Sequence, residues 1–477
     1  NTKAIVCTHA SNVTGDGNDI AQIGTLCEKY NLYFILDASQ TAGTIEIDME
    51  QNHISAICFT GHKGLFGPQG TGGIALADGV CVRPLLSGGS GVHSFERKHP
   101  MELPAALEAG TLNGHGIAGL HAALDWIKKT GIAAIHEKEM ALAEQFQRGI
   151  ETIPGIHLYG GEKRVAAIVS CNLADLDSAY VSDCLAEDYG IATRAGVHCA
   201  PLMHTHFGTE KQGMVRFSFS CFNTTEEVEK AVRAMQDIAA ENRGKVTAYV
   251  GAGGKTSSIR KRAETLRAEG KRVLILTTTK MMVPQEQEIF AAYEQTGQES
   301  VISATASVWQ ERRAAEKQLK ERVQSVLDTY GCCVAGSLIP GTEKFGMLPE
   351  KLMEDLLYLA DEILIEADGS AHMPVKAPAE HEPVLFPYMD EVVIAMGAHA
   401  IGKPLREVCH RVDYAKELLK CDADKIVTAA DLKTLAEQGY AIPIQKQYPW
   451  MKISKVTGKD IKLCLTAEKK DKARDKQ

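Results

Sequence analysis

The segment Phe59-Thr60-Gly61-His62-Lys63-Gly64 closes an apolar run and delivers a lysine directly after a histidine. Upstream, the apolar run Tyr33-Phe34-Ile35-Leu36 ends in Asp37-Ala38-Ser39-Gln40. Downstream, Arg194-Ala195-Gly196-Val197-His198-Cys199 places a cysteine in a Gly-containing loop. Around these segments, short apolar runs alternate with helix-period patterns: Ile20, Ile23, Leu26 and Cys27 share one helical face, and 32–36 reads as the next strand. That alternation predicts an α/β fold, a parallel sheet covered by helices. Residues 114–152 read as long helices, with Leu120, Ala123 and Ile127, then Met140, Leu142 and Phe146, at helical spacing and Trp126 as core packing. Residues 165–216 read as a smaller α/β unit, with strands at 166–171 and 214–220 and a helix at 178–189. Thr224-Thr225-Glu226-Glu227 opens a further helix to about 241, threonine as its cap and acids in its first turn.

Each chemical group has an ordinary reading when taken alone. A lysine is more often a surface charge, an aspartate after a strand a helix cap, an arginine half of an exposed ion pair, a cysteine a buried thiol. In register they form a kit. Lys63 is a candidate Schiff-base amine, Asp37 a candidate partner for a pyridinium nitrogen, and Cys199 a candidate nucleophile. Pyridoxal phosphate chemistry requires that amine to hold the aldehyde and that carboxylate to keep the ring an electron sink. Arg194 and His198 flank Cys199, surroundings that favour a thiolate. A metal site built from Cys199, His198, His204 and His206 is the poorer reading, because the loop already has a coherent catalytic one.

In six segments the chain resembles the class V aminotransferase family, and within it the cysteine desulfurases and selenocysteine lyases. They are Thr8 to Gly15, Asp37 to Gln40, Thr60 to Lys63, Glu108 to Asn113, Arg194 to Pro201, and Arg216-Phe217-Ser218. The resemblance covers roughly the first half of the chain. It implies the fold-type-I architecture of pyridoxal-phosphate enzymes, with Lys63 carrying the cofactor, Asp37 at the pyridine nitrogen, Gln40 at the ring hydroxyl and Asn12 near ring and substrate. Thr60 and His62 are implied to bind phosphate, and Thr111 to reach the phosphate of the neighbouring subunit of a homodimer. Arg216 is implied to hold the substrate carboxylate, with Arg194 and His198 beside it. In the family an aromatic-stacking histidine and a Gly/Thr phosphate turn precede the point matching Asn1, so the sequence reads as an incomplete large domain followed by its small domain.

The composition narrows the alternatives. At 477 residues the chain is long enough for more than one domain. A net charge of −9 lacks the basic footprint of a nucleic-acid binder. Charges interrupt every apolar run before bilayer-spanning length, so no membrane helix is expected, and no signal peptide is visible. The 13 cysteines are scattered, odd in number and without CxxC pairs, which fits a reducing cytoplasm better than a disulfide framework. Cys332-Cys333 reads as packing.

Residues 242–245 read as a linker closing a first domain at 1–241. The pattern then restarts: a strand at 246–250, the turn Gly251-Ala252-Gly253-Gly254-Lys255-Thr256-Ser257, a charged helix to 269, and a strand at 272–276. A distant strand, 362–365, runs into Glu366-Ala367-Asp368. This is the order of a P-loop-like α/β nucleotide-binding domain. The turn is shorter than a full Walker motif, whose first glycine corresponds to Tyr249. Successive backbone N–H groups at a helix start still attract phosphate, Lys255 supplies charge, and Thr256 and Asp368 are candidates for magnesium, with Glu366 as a further cation or water ligand. With the block Lys376 to Pro383, these segments resemble the selenium-dependent hydroxylase accessory family, associated with maturation of molybdenum hydroxylases. A guanine-type Asn-Lys-x-Asp motif is absent, leaving ATP and GTP both open. The second domain is expected at 246–447 and a polar, lysine-rich tail at 448–477.

The expected activity is removal of sulfur or selenium from L-cysteine or L-selenocysteine, giving alanine and a persulfide on Cys199. The fusion suggests delivery to an acceptor protein or a molybdenum hydroxylase. Two rivals stand: a class V transaminase in which Cys199 is idle, and a non-catalytic nucleotide-binding maturation factor with a relic first domain.

Overall fold

The computed structural model describes residues 1–92, 95–294 and 306–457. The chain divides into two compact units, Asn1–Ile238 and Ala239–Gln477. In the first unit, β1 (Ala4–Thr8), β2 (Tyr33–Asp37), β3 (Ala56–Thr60) and β4 (Gly72–Leu76) form one sheet in that order. The first three strands run parallel and β4 closes antiparallel on β3. Helix α1 (Ile20–Tyr30) supplies the crossover from β1 to β2, and Asn31, left-handed at φ 54°, ends it. Phe34 and Leu36 are fully buried, and with Cys27 and Ile54 they make the core under that sheet. The parallel register puts Asp37 opposite Thr8 on one side and Cys58 on the other, at the carboxyl ends of the strands. Ligands of open α/β sheets collect at that edge.

Helices α2 (Gly114–Thr130) and α3 (Ile132–Ile150) follow, the first capped by the Asn113 side chain accepting from Gly116 N–H. Strands β5 (Ile156–Tyr159), β6 (Ile168–Leu173) and β7 (Val215–Ser218) form an antiparallel sheet. Helices α4 (Ser178–Glu187) and α5 (Pro201–Phe207) lie between β6 and β7, and α6 (Thr225–Asn242) follows β7. Phe146 of α3 is buried against Phe217 and Phe219. Trp126 departs from the expected core role: it is 36% exposed and shares a surface aromatic cluster with Phe66 and Phe222.

The second unit is built on a larger sheet. Its strands are β8 (Lys245–Gly251), β9 (Val273–Thr277), β10 (Lys280–Met282), β11 (Phe290–Tyr293), β12 (Cys332–Leu338), β13 (Lys344–Gly346), β14 (Glu362–Glu366), β16 (Glu391–Met396) and β18 (Lys452–Thr457). The spatial order is β10-β13-β12-β9-β14-β8-β16-β18, with β11 beside β12. A separate parallel pair joins β15 (Val375–Lys376) and β17 (Cys409–His410). The run β12-β9-β14-β8-β16-β18 is parallel throughout. Residues Val246 to Gly251 of β8 are all buried, as a central parallel strand covered on both faces must be. Helix α7 (Lys255–Ala268) follows β8 directly, and α8 (Ala306–Tyr330) leads into β12.

The lysine-rich stretch expected to be a tail from 448 begins instead with β18, paired with β16 over its whole length. Its polar residues are partnered: Lys452 and Ser454 meet Glu391, and Lys455 meets Glu437. Charged, paired side chains are what an edge strand carries. Residues 458–477 of the expected tail lie outside the described residues. Among the described residues no helix is long and apolar enough to cross a membrane.

Candidate functional site

Lys63 lies just beyond β3, its side chain solvent-exposed and set between charges of both signs. Partial desolvation lowers its amine below the ordinary lysine range; Asp37 and Cys199 push it back up, and Arg216 and Arg194 push it further down. Groups from three separate segments, the end of β2, the loop 194–199 and β7, therefore act on one amine. Asp37 is oriented from its own turn, its carboxylate accepting the Ser39 N–H at 2.9 Å.

The two arginines are brought together by backbone pairing. Arg194 and Arg216 form an isolated antiparallel bridge, with N–H to carbonyl distances of 3.2 and 2.9 Å. Facing like charges cost stability unless an anion sits between them. Burial and Arg194 lower the Arg216 guanidinium, and its Nε is buried with no hydrogen-bond partner. One Arg216 Nη donates to the Asn12 carbonyl at 3.0 Å. The pair thus has the charge and an unused buried donor for a carboxylate.

Cys199 is exposed, and an Arg194 Nη lies 3.6 Å from its Sγ. His198 and Cys199 both have left-handed backbones, φ 52° and 58°, where neither residue type is at ease. The loop is held by its neighbours. The Asn12 side-chain amide donates to the His198 carbonyl at 2.6 Å, and His198 Nε2 donates to the Arg194 carbonyl at 3.0 Å. Pro201 then starts α5 at a position where its missing N–H costs nothing. His198 is 2% exposed, and burial pushes its imidazole down to about 4, so the ring is neutral at pH 7. Its plane stacks on His204, whose Nδ1 is bonded to Thr209.

Among the described residues, no hydrogen bond joins the other first-unit candidates to this group. The Thr60 hydroxyl and His62 Nδ1 are 2.8 Å apart, immediately before Lys63. Gln40 is partly buried in the turn after β2. Thr111 sits in an exposed loop ahead of α2, and no hydrogen bond joins it to the lysine among the described residues.

In the second unit, the Gly-rich turn links β8 to α7. Gly251 and Gly253 have φ of 89° and 79°, and a Cβ would fall 2.2 Å from the Ala395 carbonyl oxygen or 2.5 Å from that of Pro374. Only glycine fits either place. Lys255 is 4% exposed and donates back to the Gly251 carbonyl at 2.6 Å. Burial lowers its amine, while Glu366 and Asp368 raise it. The Thr256 hydroxyl donates to Glu366 at 2.7 Å, and burial raises the Glu366 carboxyl. A cavity of about 850 Å³ opens over the turn, bounded by Gly253, Gly254, Lys255, Thr256, Ser257 and Glu366. Asp368 does not line it. Both of its oxygens are taken by Gly251 N–H, Tyr440 and Lys376 instead, which corrects the expectation that it faces a magnesium position. Lys376, Glu382, Arg411 and Tyr440 carry this network, and none of them has a site signature of its own in the sequence. Lys376 and Glu382 lie in the block 376–383 that marks the second resemblance, whereas Tyr440 has no local signal at all.

Comparison with known proteins matches residues 1–231 to the family Aminotransferase class-V and residues 247–413 to the family YqeC protein. A probable cysteine desulfurase of Methanothermobacter thermautotrophicus is 34% identical over 243 residues, 50% of this chain and 61% of that protein. A cysteine desulfurase of Escherichia coli is 31% identical over 242 residues, 50% of this chain and 58% of that protein. Among solved structures, the apo cysteine desulfurase of Thermococcus onnurineus NA1 is similar at 30% identity and a TM-score of 0.47, over 50% of this chain and 60% of that one. The chain thus spans about three fifths of the length of the curated relatives it matches. Residues 1–231 are therefore similar to aminotransferase class-V proteins, and residues 247–413 to YqeC proteins.

Proposed function

We propose that the first unit is a fold-type-I, pyridoxal-phosphate-dependent cysteine desulfurase or selenocysteine lyase. The observation that carries this reading is the shared electrostatic environment of Lys63, Asp37, Arg194, Cys199 and Arg216. The donor set fits the cofactor: an accessible amine near neutralising charge, a carboxylate fixed at a strand end, and the bonded pair Thr60 and His62 available to a phosphate. Bound there, pyridoxal phosphate supplies an electron sink for the substrate α-carbon.

The residues of this chain do the rest. Arg216, with Arg194 beside it, grips the substrate carboxylate and fixes its orientation. Lys63 Nζ, lowered by partial desolvation, takes the α-proton. The Cys199 thiolate attacks the substrate's sulfur. A sulfur–sulfur bond forms as the carbon–sulfur bond breaks, and the carbon fragment leaves as alanine after reprotonation. The persulfide passes to an acceptor protein. Thr111 serves the neighbouring subunit of a homodimer, and Gln40 and Asn12 border the ring.

For the second unit, the Gly-rich turn at the mouth of a cavity supports binding of ATP or GTP with magnesium, Lys255 and Thr256 facing the phosphates. The fusion then serves maturation of a molybdenum hydroxylase, in a reducing, cytoplasmic compartment. Mass spectrometry of the chain loaded with pyridoxal phosphate and incubated with L-cysteine tests the first reading. It predicts a mass gain of one sulfur on Cys199 and release of alanine. Formation of a keto acid, with Cys199 unmodified, would favour a transaminase.

A further inference from the structure

Two acids follow the strand beside the Gly-rich turn, and their surroundings differ. Glu366 ends β14, opposite Tyr249 of β8, and borders the cavity. Asp368, two residues on, is fully buried beneath the turn. Its Oδ2 accepts from Gly251 N–H at 3.1 Å and from the Tyr440 hydroxyl at 2.7 Å, and its Oδ1 from Lys376. Lys376 is itself fully buried. Its ammonium also donates to the Gly369 carbonyl at 2.5 Å and lies 2.8 Å from Glu382, which Arg411 covers at 2.9 Å. An ammonium has three protons, and all three are spent here. A cation ligand must turn an oxygen toward the ligand space, and both oxygens of the fully buried Asp368 are directed to these donors instead. Glu366 is placed differently: it borders the cavity, Oε2 accepts from Thr256, and its other oxygen has no hydrogen bond among the described residues.

We propose that Asp368 is the positioning residue of the Gly-rich turn, ion-paired beneath it to Lys376, and that the cation side of the site falls to Glu366 with Thr256. This division of roles rests on the nucleotide reading of the turn. Its physical basis is that the turn is clamped from two sides. The Gly251 N–H is tied to Asp368, and the Ala252 N–H to the Ala395 carbonyl of β16 at 2.9 Å. The successive N–H groups that face a phosphate are thereby set before any ligand arrives, which is the condition for a preorganised anion cradle. Asp368 gathers donors from β15 and from the π-helical segment Leu435–Ala441, which carries Tyr440, so distant segments fix one short loop.

The test uses the full chain with Asp368→Asn, Glu366→Gln and Tyr440→Phe. Two quantities are measured: amide hydrogen exchange of the segment 246–258 without nucleotide, and affinity for ATP and for GTP, each with magnesium and with EDTA. For Asp368→Asn, exchange in 246–258 rises at least tenfold while 273–277 keeps its protection. Its nucleotide affinity falls about tenfold, equally with magnesium and with EDTA, the scale of one charge-assisted hydrogen bond. Glu366→Gln leaves exchange unchanged and removes the magnesium-dependent part of the affinity. Unchanged exchange in Asp368→Asn, or a loss confined to the magnesium-dependent affinity, would overturn the assignment. Should Asp368→Asn not fold, Tyr440→Phe removes one donor and keeps the carboxylate. A rise of about threefold in local exchange supports the strut, and wild-type exchange contradicts it. If the wild-type chain binds neither nucleotide, the nucleotide reading fails by itself, and the exchange comparison alone decides whether Asp368 holds the turn.

Discussion

The Arg194 guanidinium lies 3.6 Å from the Cys199 sulfur while its own backbone is paired with that of Arg216. One short bridge therefore couples the sulfur nucleophile to the proposed carboxylate clamp. In the proposed reaction, a carboxylate gripped by Arg216 would lie beside the loop that carries Cys199.

Replacing Cys199 by serine should abolish persulfide formation and leave pyridoxal phosphate binding unchanged, because Cys199 is exposed at the mouth of the group. Intact-mass analysis and the visible spectrum read the two properties separately. A persulfide surviving on Cys199→Ser protein would remove Cys199 from the mechanism.

Arg216→Lys should raise the KM for L-cysteine at least about tenfold with a smaller change in kcat, since an ammonium loses the planar two-pronged grip on a carboxylate. Arg216→Ala should lose more, because the Asn12 carbonyl also loses its donor. Steady-state kinetics decide this, and equal KM values in wild type and Arg216→Lys would argue against a carboxylate clamp.

The buried His198 gives a pH signature of stability. Its folded-state value, about 4, lies below the ordinary histidine value of 6.5, so the unfolded chain takes up the proton first as pH falls. The stabilisation is therefore complete above about pH 6.5 and is lost progressively between 6.5 and 4. Denaturant midpoints across that range should fall less steeply for His198→Gln than for the wild type.

Phe146 is fully buried, its ring centroid 4.3 Å from that of Phe217. Phe146→Ala should destabilise the first unit by about 3–5 kcal/mol, the usual cost of emptying an aromatic core site. Chemical denaturation followed in the full chain should show this loss in one transition and leave the other in place.

Much of the first unit is legible in its sequence because its chemistry sits at strand ends. Asp37 and Lys63 each close a run whose apolar residues mark a strand, so periodicity places them at one edge of one sheet. The Arg194–Arg216 bridge is not legible that way, since no local pattern encodes pairing across 22 residues of loop and helix. In the second unit, β8 and the Gly-rich turn announce themselves, but β18 does not. Its lysines read as solvated tail until the partners Glu391 and Glu437 are seen beside them. The position of Asp368 after an apolar strand marks it as a site residue, but not the direction in which its carboxylate points. What turns it inward is Lys376 and Tyr440, and Tyr440 is 72 residues away.

Lys63 as the cofactor-bearing amine is tested by the visible absorption of the purified chain mixed with pyridoxal phosphate, before and after L-cysteine is added. The expected result is a yellow protein whose spectrum changes with substrate, and no such colour in Lys63→Ala. A wild-type chain that stays colourless, or a Lys63→Ala chain with the same spectrum, would contradict it.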